Sequence, residues 1–499
     1  MYTFDWLARR AVITPAKRAL VDAATDRRYT YREFDARVNR LANFMQRAWN
    51  IARGDRVAVL ALNSSDYFEI YFAVNRLGAI LLPLNWRLAA PELEFILGDA
   101  APRALIYEAE FGKTVDALRA TQPIENLLVL RDEYEYALAE ALPDTVVMPR
   151  LPLTETQAIL YTAGTTGRPK GARITFAMTL YNAVNMGLAI GLTNRDVTLN
   201  VLPTFHTGGL NLYAMPTFHA GGVAIIQRTF DAAECLRLIA RERVTAFFGV
   251  PAHYLFLNQS PELATADLSS VRVWMQGGAP MPVSLLEQLA QRGIVVRQGF
   301  GMTETSPTVF TLDQENALRK AGSVGRPVLH AEVRIVDGEG RDVPTGEIGE
   351  LWVRGPLVTP GYWNRPDATA QSFSDDWFHI GDAARCDDEG FYYIVDRWKD
   401  MFISGGENVY PAEVEQVLFS HPAVAEAAVI GVPDEKWGEV GKAIVVLKKD
   451  ATAAQADLLA FCQGKLARYK IPKSVAFIDS LPRNAAGKVL KRELRERFK

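Results

Sequence analysis

Short apolar runs rich in Val, Ile and Leu alternate with amphipathic stretches over most of the chain. Residues 56–63 (RVAVLALN), 104–107, 197–203, 221–228, 245–251 and 271–277 have the length and near-continuous hydrophobicity of strands buried on both faces. Between them, residues 31–49, 231–243 and 284–291 carry the three-to-four-residue apolar spacing of helices. Strands alternating with helices predict doubly wound, parallel α/β layers. The texture changes near Ala321, after which residues 332–354 hold short strand-like runs broken by the turn strings DGEGRD and PTGEIGE. They predict a small β-barrel-like unit. A second change near Asp396 opens a stretch with its own pattern: a helix from Pro411, strands at 427–431 and 443–448, and a helix over 453–466. This is enough for a small α+β domain. The expected division is residues 1–398 and 399–499.

Length supports that division, because 499 residues exceed what one core usually holds. Apolar residues at 49% and charged residues at 23% exclude a disordered or collagen-like chain. With 55 basic against 58 acidic side chains, bulk electrostatic binding of nucleic acid is not expected. Residues 77–84, among the longest apolar runs, are too short to span a bilayer. The N-terminal MYTFDWLARR carries Asp5 and lacks the apolar core of a signal peptide. A cytoplasmic protein is expected, with peripheral membrane contact left open and a monomer or homodimer as its assembly. Cys235, Cys386 and Cys462 are odd in number and far apart, which fits neither a disulfide framework nor a zinc site. Charge is uneven along the chain: from Ala460 onward stand 11 basic against 3 acidic residues, a surface suited to a polyanion.

The most informative string is AILYTAGTTGRPKGA at 158–172. Its glycines let backbone N–H groups surround phosphate oxygens, its threonines add donors, and Lys170 adds charge. It is not a Walker A loop, since Pro169 stands where the second glycine is required. Further along come LPTFHTGG (202–209), QGGAP (276–280), QGFGMTET (298–305), WFHIGD (377–382), DRWKDMFISGGENVYPAEVE (396–415) and PRNAAGK (482–488). Singly, each reads equally well as a turn, a helix cap or a solvated lysine.

In this order, however, the strings resemble those of the AMP-forming acyl-CoA synthetases. That adenylate-forming superfamily also holds luciferases and peptide-synthetase adenylation domains, and the compact bacterial fatty-acyl-CoA synthetases look most similar. Two departures stand out: Ala163 replaces the usual Ser, and Phe300 the usual Tyr. The resemblance implies ATP, Mg2+ and coenzyme A as cofactors. It implies that Thr162, Gly164, Thr165, Thr166, Gly167 and Lys170 hold phosphates. Gly277, Gly278, Ala279 and Pro280 would lie against adenine, with Phe300 stacked beside Gly301. Thr303 would bond the α-phosphate, Glu304 hold magnesium, Asp382 take the ribose hydroxyls, and Arg397 complete the nucleotide site. Lys488 would bring the carboxylate to the α-phosphate. Lys399 would be the hinge of a rotating C-terminal domain, whose Ser404, Gly405 and Gly406 would then line the path of the thiol, with His206 orienting it. The acyl pocket would be lined by Thr207, Gly208, Gly209, Phe247 and Gly249, roomy and apolar because three of the five lack side chains. A medium- to long-chain fatty acid is the leading substrate and a hydroxycinnamate (feruloyl or coumaroyl type) the alternative. A luciferase-like enzyme or a carrier-loading module is more remote, since no Gly-Gly pair is followed by x-Ser.

Overall fold

The computed structural model describes residues 1–162, 169–404, 407–483 and 489–498, and for Arg397, Lys399 and Asn408 the backbone alone. Local chemistry sets the elements where the pattern places them. Thr30 starts the helix Tyr31–Ala48 with a capping box: the Glu33 N–H donates to Thr30 Oγ1 at 3.2 Å, and the Thr30 N–H donates to Glu33 Oε2 at 2.8 Å. The face of this helix that carries Phe34, Val38, Leu41 and Met45 is fully buried. Asp231 caps Ala232–Glu242 in the same way, through the Glu234 N–H at 2.8 Å.

Two sheets dominate the first part of the chain. The larger has nine strands in the spatial order Arg326–Pro327, Phe310–Thr311, Val296–Phe300, Val273–Gln276, Ala246–Gly249, Val197–Asn200, Val223–Ile226, Arg18–Asp22 and Arg27–Thr30. From Val296–Phe300 to Arg18–Asp22 every pairing is parallel. The smaller has six strands, ordered Asn126–Val129, Ala104–Tyr107, Arg56–Leu60, Ile80–Pro83, Thr156–Thr162 and Lys170–Thr175, parallel except for the last pair. The doubly wound α/β layers expected from the alternating runs are present. Their cores are apolar on both sides of each sheet, with clusters around Phe34, Phe68 and Phe218, around Phe247 and Tyr254, and around Leu82 and Leu93.

By contacts the chain divides into two compact units, Met1–Glu332 with Arg354–Phe378, and Val333–Val353 with His379–Lys499. The second unit thus contains short strands that sequence texture alone assigns to the first. In its C-terminal part Val424–Asp434 and Gly438–Leu447 form a long antiparallel pair, flanked by the parallel strand Ser474–Phe477. The helix Pro411–Phe419 closes over them around Val414, Leu418 and Leu458. Lys399 lies inside this unit. A place of rotation and a contact boundary are different properties, and rotation about Lys399 is taken up below as a proposal. Among the described residues no helix is long and apolar enough to cross a membrane.

Candidate nucleotide and acid site

The Gly- and Thr-rich string joins two antiparallel neighbours, Thr156–Thr162 and Lys170–Thr175, where a Walker A loop would join a strand to a helix. Gly164, Thr165, Thr166 and Gly167 lie outside the described residues. At the mouth, the Thr162 hydroxyl donates to the Lys170 carbonyl at 3.4 Å. Gly171 is required by packing: a Cβ there would stand 2.7 Å from Ile159 Cγ2 and 3.0 Å from the Tyr161 ring. That ring is anchored in turn, its hydroxyl donating to Asp99 Oδ2 at 2.6 Å.

The next parts sit at the carboxyl ends of parallel strands, where open α/β sheets bind ligands. Val273–Gln276 and Val296–Phe300 are neighbours, so the loop 277–280 and the Phe300 ring emerge side by side. Gly278, Ala279 and Pro280 are exposed and Phe300 is half-buried. Gly277 packs so closely that its Cβ would lie 3.0 Å from both the Gly299 carbonyl oxygen and the Phe248 ring. After Phe300 the chain doubles back: the Val309 N–H donates to the Phe300 carbonyl at 2.8 Å. Inside that loop a single turn, Thr303–Thr305, buries both Thr303 and Glu304.

Glu304 is held from a segment that sequence reasoning passed over. The Tyr362 hydroxyl donates to Glu304 Oε1 at 3.1 Å, and the Thr359 N–H donates to the Glu304 carbonyl at 2.8 Å. The same segment is stitched to the phosphate-loop exit. Trp363 N–H donates to the Gly171 carbonyl at 2.8 Å, and the Thr359 hydroxyl to the Arg173 carbonyl at 2.7 Å. The Lys170 ammonium lies 5.2 Å from the centre of the Tyr362 ring. Burial and the neighbouring Glu304 carboxylate push the Tyr362 hydroxyl far above its ordinary pKa, so it stays a donor. The only sequence signal for this residue was a Gly-aromatic pair (Gly361–Tyr362) without periodicity.

The donor set fits magnesium. Glu304 and Thr303 offer hard oxygen atoms, and among the described residues no group of three or more His, Cys, Asp or Glu gathers as a closed protein cage. Magnesium is usually bound by one or two carboxylates together with phosphate oxygens and water.

On the acid side the expected residues stand in different surroundings. Strand alternation sends Phe247 and Phe248 to opposite faces. Phe247 is fully buried against Tyr254 and Trp274, at ring distances of 5.7 and 5.5 Å. Phe248 faces Tyr213 at 5.7 Å, in the cluster of Leu202, Met275 and Val250. The glycines differ in how closely they are packed. A Cβ on Gly209 would lie 2.2 Å from the Pro203 carbonyl oxygen, and one on Gly249 3.1–3.3 Å from Phe247, His253 and Tyr254. Gly208 would touch Leu202 Cδ1 at 3.0 Å. At Gly209 backbone atoms crowd the position, whereas at Gly208 and Gly249 the neighbours are side chains.

Thr207 is buried, and His206 is exposed beside it. One helical turn on, Asn211 donates through Nδ2 to Ser306 Oγ at 3.3 Å, and its carbonyl accepts from Asn182 Nδ2 at 2.9 Å. Asn182 Oδ1, Thr207 Oγ1, Asn211 Oδ1 and Thr308 Oγ1 are buried and meet no partner among the described residues. Such atoms are costly unless something supplies the missing bond.

The second unit carries the other expected residues. Asp382 is buried in the strand Trp377–Cys386, its Cα paired with that of Arg397 on the next strand. Ser404 is buried and paired with Glu407 and Gly438. The segment around Lys399 is tied at both ends: Asp396 Oδ2 accepts from the Ala412 N–H at 2.7 Å, and Arg495 pairs with Asp400 at 2.8 Å. Lys488, Gly405 and Gly406, and the side chains of Arg397 and Lys399, lie outside the described residues.

Two family descriptions match this chain, "AMP-binding enzyme" over residues 7–363 and "AMP-binding enzyme C-terminal domain" over 413–488. A feruloyl-CoA synthase of Amycolatopsis is 43% identical, across 99% of this chain and 98% of that protein. The long-chain-fatty-acid–CoA ligase FadD13 of Mycobacterium tuberculosis is 40% identical, across 100% and 99%. Among solved structures, o-succinylbenzoate coenzyme A synthetase of Bacillus subtilis in complex with ATP and magnesium matches with a TM-score of 0.89. The two are 34% identical, over 99% of this chain and 100% of that one.

Proposed function

The chain belongs to the AMP-binding enzyme family as an AMP-forming acid–thiol ligase that uses ATP, Mg2+ and coenzyme A, and we propose that its acid is a hydroxylated aromatic acid of the hydroxycinnamate kind. One observation carries this choice: the oxygen atoms of Asn182, Thr207, Asn211 and Thr308 are buried with no partner among the described residues, and Asn211 ties Asn182 to the Ser306 turn. An alkyl chain can satisfy none of them. A ring hydroxyl both donates and accepts. The feruloyl and succinylbenzoate enzymes among the relatives agree with an aromatic acid. A medium- to long-chain fatty acid is the second reading. It is favoured by the apolar side chains of Leu202, Val250 and Met275 and by the likeness to FadD13.

In the reaction, a carboxylate oxygen attacks the α-phosphorus of ATP, the bond to the β-phosphate breaks, and pyrophosphate leaves. The thiol of coenzyme A then attacks the acyl carbon and AMP leaves. Two anions meet in the first step, so positive charge and donors must be placed in advance. In our reading Lys488 and Thr303 serve the α-phosphate, the 162–170 segment serves the departing pyrophosphate, and Asp382 holds the ribose. Glu304 would hold magnesium, which would supply positive charge against the phosphates. The second step exchanges Lys488 for Gly405 and Gly406 by rotation about Lys399. In our reading the enzyme works in the cytoplasm, where ATP and coenzyme A are at hand.

Pyrophosphate release, with and without coenzyme A, tests the reading on ferulate, 4-coumarate, unsubstituted cinnamate, decanoate and palmitate. We expect AMP and pyrophosphate as products and the phenolic acids as the best substrates. Losing one buried hydrogen bond of about 1.4 kcal/mol should lower kcat/KM for cinnamate about tenfold. Decanoate or palmitate outperforming the phenolic acids would establish the fatty-acid reading in its place.

A further inference from the structure

We propose that Tyr362 is a positioning residue for magnesium–ATP: it orients the Glu304 carboxylate through its hydroxyl and the Lys170 ammonium through its ring face. The inference rests on the assignment of Glu304 to magnesium made above. Two independent contacts of one side chain support it. The hydroxyl donates to Glu304 Oε1 at 3.1 Å, and Lys170 Nζ stands 5.2 Å from the ring centre. The backbone gives the ring no freedom to drift. Tyr362 bridges to Ala172 on the strand that leaves the phosphate loop, and its N–H donates to Thr369 Oγ1 at 2.9 Å. Its neighbours Thr359, Gly361 and Trp363 bond the Glu304 turn and residues Gly171 and Arg173.

The physical reason for such a device lies in the donor set. Where a cation takes little besides one protein carboxylate, the direction of that carboxylate fixes the cation relative to the phosphates. A Glu side chain has three rotatable bonds, and a charge-assisted hydrogen bond from a half-buried phenol restricts that freedom. The ring face adds a second constraint, holding an ammonium that would otherwise sample several rotamers. One residue therefore keeps two positive charges, a lysine and a metal ion, in register with one polyphosphate.

The test uses the full-length enzyme. Tyr362→Phe keeps the ring and its contact with Lys170 and removes only the hydroxyl. Tyr362→Leu removes both. Mn2+ held by the enzyme–ATP complex is measured by electron paramagnetic resonance, beside the Mg2+ activation midpoint, the KM for ATP at saturating Mg2+, and the melting temperature. For Tyr362→Phe we expect Mn2+ affinity to fall and the Mg2+ midpoint to rise, each about 10- to 100-fold. Its KM for ATP at saturating Mg2+ should stay within about threefold and its melting temperature near that of the wild type. Tyr362→Leu should in addition raise the KM for ATP. Glu304→Gln separates the two ways of failing. If it moves the metal midpoint and Tyr362→Phe does not, the role of Tyr362 is overturned. If Glu304→Gln leaves the midpoint in place, the metal assignment itself fails and the inference falls with it. A Tyr362→Phe enzyme that merely melts earlier, with normal Mn2+ binding, would show a structural role alone and overturn the proposal.

Discussion

Gly301→Ala probes how tightly the catalytic loop is folded. The added Cβ would lie 1.6 Å from the Pro307 carbonyl oxygen, 2.6 Å from the Pro307 carbonyl carbon and 3.0 Å from Thr308 Cα. All three are backbone atoms, so no side chain can swing aside. Ordinary contact of carbon with oxygen needs a little over 3 Å, and the strands of the loop must part by about 1.5 Å. That displacement breaks the bond from the Val309 N–H to the Phe300 carbonyl, now 2.8 Å long. It also strains the bond from the Thr359 N–H to the Glu304 carbonyl, also 2.8 Å. Two backbone bonds are together worth about 2 kcal/mol of stability. The effect on rate is larger, because Thr303 and Glu304 ride on the displaced loop. A misplacement of about 1 Å costs on the order of 10²-fold, so kcat/KM should fall at least that far. Gly322→Ala is the control. Its φ of +92° makes a side chain strained, but nothing stands within 4 Å of the new Cβ, so stability should drop by about 1 kcal/mol with activity intact. Pyrophosphate release and thermal melting of both variants decide the matter. A Gly301→Ala enzyme within threefold of wild-type kcat/KM would refute the reasoning.

Two further outcomes follow from the same chemistry. Lys488→Ala should lower acyl-adenylate formation about 10²- to 10³-fold yet leave transfer from supplied acyl-AMP to coenzyme A intact. Gly406→Leu should do the reverse, and equal damage to both half-reactions in either variant would defeat the rotation about Lys399. Asp66 gives a pH signature: burial first, then the neighbouring Glu69 carboxylate, push its pKa up to about 7 despite Arg27 at 3.1 Å. The folded value exceeds the unfolded one of about 3.9, so the folded chain binds the extra proton between them. Stability from this group is full below about pH 4 and is lost as pH rises through 7. Melting temperatures from pH 4.5 to 8.5 should therefore fall less steeply for Asp66→Asn than for the wild type, and parallel profiles would contradict this.

Much of this molecule was legible in its sequence for local reasons. A strand buried on both faces must be apolar throughout, so residues 104–107, 246–249 and 273–276 announced themselves. A helix with one buried face must repeat every three to four residues, so Tyr31–Ala48 did too. Phosphate binding needs glycine, hydroxyl and lysine close together in the chain, and the string at 158–172 holds them side by side in sequence. What escaped depends on which distant atoms face each other. In Phe247–Phe248–Gly249 all three residues are compatible with core or pocket, and only the register against Trp274 and Met275 decides that Phe248 faces Tyr213. The close approach of the Pro203 carbonyl oxygen to Gly209 is likewise invisible in sequence, because it depends on how the folded chain doubles back.

The sequence by itself determined the kind of layers, the order of the motifs and, through them, the reaction class, since each of these is encoded in residues adjacent along the chain. Only the tertiary structure decided that Tyr362 holds Glu304 from 58 residues away. It alone placed strands 333–353 with the C-terminal unit and left oxygen atoms of Asn182, Thr207, Asn211 and Thr308 buried with no partner among the described residues. The reason is the same in each case: a contact between residues far apart is set by sheet register and side-chain packing, and no local propensity records it.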